Sequence, residues 1–117
     1  MKTEDILNLD LRKEENKEII QKVLKLIKPL SRFSGEIPFE GIEKAIVIMS
    51  KKYKMRIRDI TPDVWSNENN TIWRAVIINE ENLKTMGVIY GISLYELFAK
   101  TAILMYAEVR KGIQTRE

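Results

Sequence analysis

Lys51, Lys52, Lys54, Arg56 and Arg58 put five cations into eight residues, with Tyr53 among them. Cations at that density suit phosphate, because each one that neutralises a phosphate releases a condensed counterion. The same residues have a plainer use at a helix end, where lysines complement the negative end of the dipole and outward arginines guard an edge strand. A secondary basic row, Lys17, Lys25 and Lys28, recurs at helical spacing and would join the first cluster if the two share a face. The net charge of +3 hides this bias, since residues 17–58 hold 11 basic against 4 acidic side chains.

Other chemistry is thinly represented. The chain has no histidine and no cysteine, which excludes imidazole bases, thiolate nucleophiles, disulfides and the usual zinc sites. Pro62-Asp63 resembles the opening of a metal-dependent nuclease site, but such a site needs an acid and a lysine on the next strand, and Ile72-Trp73-Arg74-Ala75-Val76 offers no acid. The glycines stand singly at 35, 41, 87, 91 and 112, so no phosphate loop is present. The residues point to a non-enzymatic protein with no cofactor and no metal.

The elements that must hold the basic run are legible around it. From Arg12 to Lys28, Ile19, Ile20, Val23, Leu24 and Ile27 recur at three- and four-residue spacing and predict a helix stopped by Pro29, with Lys17, Gln21, Lys25 and Lys28 opposite the apolar stripe. Phe39, Ile42, Ile46, Met49 and Tyr53 predict a second helix ending near Lys52. Met55 and Ile57 then alternate with Arg56 and Arg58, as in a strand whose basic residues point outward on one side. The β-branched run Thr71–Ile78 predicts its hairpin partner, apolar on both faces and therefore covered on both, with Trp65 and Trp73 as hairpin core. Asn79 suits the N-cap of a short helix over Glu80–Tyr90, and Gly91 a left-handed turn that ends it. Ser93 and Glu96 form a capping box for a last helix, which Gly112 stops near Lys111 and whose apolar arc is wide enough for the core plus a partner.

From Trp73 to Lys111, the succession of strand, Asn79-Glu80-Glu81, short helix, Gly91-Ile92-Ser93 and capped long helix resembles the ribbon-helix-helix DNA-binding proteins. The resemblance implies a dimer whose paired strands enter the major groove, with Ser93 capping on the phosphate side and Trp73, Ala75 and Ile77 facing bases. At those three positions the chain departs from the pattern, because base edges require Arg, Lys, Asn, Gln or Thr.

At 117 residues one domain is expected, with residues 1–11 as an arm in which Ile6, Leu7, Leu9 and Leu11 dock on the core, and 112–117 as a frayed tail. The fold class is α+β, in the order α-α-β-β-α-α with a small antiparallel sheet under helices. Acids in MKTEDILNLDL and the lack of a long apolar run indicate a cytoplasmic protein with no membrane partner. The function expected first is association with DNA, RNA or a nucleoprotein complex through Lys51–Arg58. The competing expectation is a homo-oligomeric protein-interaction or inhibitor/adaptor module with no nucleic-acid role, and a homodimer is expected on either reading.

Overall fold

The computed structural model describes residues 2–62 and 71–116, with side chains through Lys111. Among these residues the order is α1 (Thr3–Leu7), α2 (Glu14–Leu24), α3 (Phe39–Tyr53), β1 (Met55–Pro62), β2 (Trp73–Asn79), β3 (Thr85–Gly91) and α4 (Leu94–Arg116), with a 3₁₀ turn at Lys28–Leu30. The fold is α+β, with helices packed on an antiparallel sheet. No helix among the described residues is long and apolar enough to cross a membrane.

Periodicity and breakers set the helical half. The α2 helix ends at Leu24, a turn before the expected Lys28, because Pro29 disfavours helical backbone ahead of it. The chain leaves by i to i+3 bonds, Leu26 N–H to the Val23 carbonyl and Ile27 N–H to the Leu24 carbonyl, both at 3.0 Å. The α3 stripe is buried at Ile42, Ile46 and Met49, and Phe39 stacks on Phe98 of α4 with ring centroids 5.0 Å apart, while Tyr53, its last expected member, is exposed. The arm docks too, with Ile6 and Leu11 buried in the core and Leu7 and Leu9 packed against it.

The sheet corrects the sequence reading at Glu80–Tyr90, which forms no helix. Asn79 is a turn residue: its Oδ1 accepts from the Glu81 and Asn82 amides, at 2.8 and 3.4 Å, and its backbone N–H donates to the Lys84 carbonyl at 2.9 Å. An asparagine that can cap a helix can equally close an Asx turn, and pairing with β2 decides between them. Leu83 takes the left-handed position, φ 60°, and Thr85–Gly91 returns as a third strand. Gly91 does not have a positive φ; its role is close approach, since a Cβ there would lie 2.7 Å from the backbone nitrogen of Leu97. Helix α4 also passes through Gly112 to Arg116.

These corrections remove the ribbon-helix-helix pattern, which needs a helix where β3 runs and a free strand where β2 is paired on both sides. Trp73, Ala75 and Ile77 belong to the core face of the sheet, while Val76 and Ile78, pointing the other way, are buried as well. Trp65 lies outside the described residues. Most of the wide arc of α4 is covered within the chain: Leu97, Ala102, Ile103 and Met105 are buried as α4 packs against α1, α2, α3 and two strands, while Leu94 at its start stays exposed.

Candidate functional site

The basic run sits where α3 becomes β1. Lys51 and Lys52 occupy the last helical turn, Lys54 closes the helix in the left-handed conformation (φ 56°, ψ 48°) with its N–H on the Ser50 carbonyl, and Met55 already pairs with Asn79. With no loop intervening, the helix passes into the strand within one residue and the five cations follow one another across the junction. Lys51, Lys52, Lys54, Arg56 and Arg58 are all exposed. Tyr53 is exposed as well, and the Lys52 ammonium lies 5.5 Å from its ring centroid.

The junction differs from a simple alternating strand at Arg58. In the β1–β2 register Ile57 faces Ile77 and Asp59 faces Val76, so Arg58 is the extra residue of a β-bulge. Its Nε donates to Asp59 Oδ2 at 3.0 Å, which gives it a neighbouring carboxylate as partner. Among the described residues no carboxylate makes an ion pair with Lys51, Lys52, Lys54 or Arg56, and the nearest acidic residue in the backbone network is Glu80, whose N–H donates to the Lys54 carbonyl at 2.9 Å.

The secondary row is not assembled in the same way. Lys17 is exposed and lies 3.6 Å from Glu14, Lys25 points its ammonium at the Ser34 carbonyl 3.5 Å away, and Lys28 sits beyond the end of α2 in the 3₁₀ turn. Gln21, expected on the same outward row, turns inward. Its Nε2 donates to the Tyr95 hydroxyl at 2.8 Å and its Oε1 accepts from the Ile37 amide at 2.9 Å, while the Tyr95 hydroxyl donates to the Ile37 carbonyl. Burial pushes the Tyr95 phenol above its ordinary pKa, Glu36 adds to this, and the Gln21 bond opposes it.

A buried ion pair escaped the sequence reading. Glu96 and Lys100 side chains are each 4% exposed, with Lys100 Nζ 2.6 Å from Glu96 Oε1 and 2.7 Å from the Leu9 carbonyl. Glu96 also completes the cap of α4: its amide donates to Ser93 Oγ at 3.1 Å, and its Oε2 accepts from the Ile92 amide at 2.8 Å, one residue ahead of Ser93. The available signal was an i, i+4 pair of opposite charges in a helix with no other charged residue before Glu108. Beside it, Arg12 binds both oxygens of Asp10 and holds that carboxyl near pKa 2. The Lys100 bond to the Leu9 carbonyl fastens the N-terminal segment to α4, and the Arg12–Asp10 pair lies within that segment.

No protein-family model, curated protein or solved structure matches this chain.

Proposed function

We propose that the protein is a small non-enzymatic binding protein that associates with nucleic acid, or with a nucleoprotein complex, through the junction that carries Lys51, Lys52, Lys54 and Arg56. The observation that carries this reading is the loop-free junction of α3 and β1, which holds four exposed cations with no ion pair among the described residues, and an exposed tyrosine between them in sequence. Fixed positive charge of this kind meets a phosphate backbone without reading sequence, and a tyrosine face accepts any base by stacking. The partner class is therefore single- or double-stranded nucleic acid bound without sequence preference.

Binding should be weak and fall with salt at a log–log slope of roughly −2 to −4, the range for three or four phosphate contacts. Titration of a labelled oligonucleotide against protein at several salt concentrations measures it. Arg56→Ala should reduce the slope by about 1, and Arg58→Ala by less, because Arg58 is already paired with Asp59. Both variants should melt close to the wild type, since exposed charges contribute little to folding. No binding to DNA or RNA at low salt would refute the reading and leave protein interaction in its place.

A further inference from the structure

The longest stretch of the chain without a charged side chain runs from Thr85 to Tyr95, and it contains all of β3. Along it Val88, Tyr90, Ile92 and Leu94, at alternate positions, are 42%, 48%, 43% and 41% exposed. Val88 and Tyr90 share one face of β3 and Ile92 and Leu94 follow just beyond it, so four large apolar side chains within seven residues are each about half open to solvent at this side of the sheet. β3 is also an open edge. In the order β1-β2-β3 the third strand pairs on one side only, and among the described residues no backbone group outside β2 bonds to it. Its bulge lies at Met86, close to the turn, so Gly87–Gly91 remains regular.

The opposite edge is built differently. β1 carries Arg56, Arg58, a bulge and Pro62, each a known device for preventing a further strand from pairing. β3 has no charge and no proline. A sheet that guards one edge and leaves the other open and apolar is suited to accept one strand there.

We propose that the open edge of β3 pairs antiparallel with β3 of a second copy of this chain, joining the two sheets into one. The strand that fits must be uncharged and apolar at alternate positions, which describes β3 itself. Self-pairing about a two-fold axis sets no like charges opposite one another. It also terminates: the outer edges of the joined sheet are both β1, both guarded, so the assembly closes as a dimer. Beyond Leu94 the apolar arc of α4 is turned to the chain's own core and is not the interface.

Sedimentation of the wild-type protein over a range of concentrations tests this, together with amide exchange on β3 and the variant Val88→Lys. The expected results are a dimer mass at high concentration, slower exchange of β3 amides as concentration rises, and a dissociation constant raised about tenfold or more in Val88→Lys. Ile48→Lys, on the exposed side of α3, should leave the dimer intact. Should Val88→Lys fail to fold, Val88→Thr keeps the strand propensity while removing apolar surface and should weaken the dimer in the same direction. A concentration-independent monomer mass overturns the proposal. So does a dimer that forms without added protection of β3, or one that Val88→Lys leaves at wild-type strength.

Discussion

Glu96 and Lys100 are the residues on which the fold is most exposed to single changes, because both charges are out of solvent and each satisfies the other. Replacing Lys100 by methionine strands the Glu96 carboxylate and takes the donor from the Leu9 carbonyl. Lys100→Met should therefore lower the unfolding free energy by about 3–5 kcal/mol, the usual consequence of removing one partner of a buried pair. Glu96→Gln combined with Lys100→Met should recover a large part of that loss, since the amide still accepts from Ile92 and no buried charge is left over. Urea denaturation of both variants decides it, and equal losses in the two would show that the lost contact, rather than the stranded charge, sets the effect.

The junction of α3 and β1 is where an element boundary and the candidate site coincide. Lys54 adopts a left-handed backbone, which places a non-glycine residue about 1–2 kcal/mol above its relaxed conformation. Glycine has no such penalty at a helix end, though it restores entropy to the unfolded chain, so Lys54→Gly should be neutral to stabilising by up to about 1 kcal/mol. The same change should lower the salt slope of nucleic-acid binding by about 1 if Lys54 meets a phosphate. Thermal melting and salt titration on one variant separate the two effects. A slope left at the wild-type value would remove Lys54 from the interface. Helix α3 and strands β1 and β2 were legible because a three-four apolar spacing and a β-branched run each specify their state locally. The bulge at Arg58 was not, since it exists only as a register difference against β2.

At the scale of the molecule, Tyr95 ties α4 to α2 through Gln21 and to the segment before α3 through Ile37. Its raised pKa gives the fold an alkaline limb. The neutral phenol is the form the folded state favours, so its contribution is complete below the unfolded value of 10.0 and is lost as pH rises through the higher folded value. Stability followed by circular dichroism from pH 9 upward should therefore decline, and Tyr95→Phe should flatten that decline while lowering the neutral-pH stability by about 1 kcal/mol through the lost hydrogen bonds. An alkaline limb unchanged in Tyr95→Phe would assign it to other groups. The sequence by itself determined the elements whose signals are local: the stripe of α3, the capped start of α4 at Ser93 and Glu96, the runs of β1 and β2, and the basic cluster that falls between a helix end and a strand. Only the tertiary structure decided that Thr85–Gly91 is a strand, that Gln21 and Lys100 point inward, that most of the α4 arc is covered from within, and that one edge of the sheet is guarded while the other is open. Each of these depends on what lies opposite a residue in space. A segment such as Asn79–Gly91, whose caps and glycines suit a helix or a turn and strand about equally, takes its conformation from the strand it pairs with.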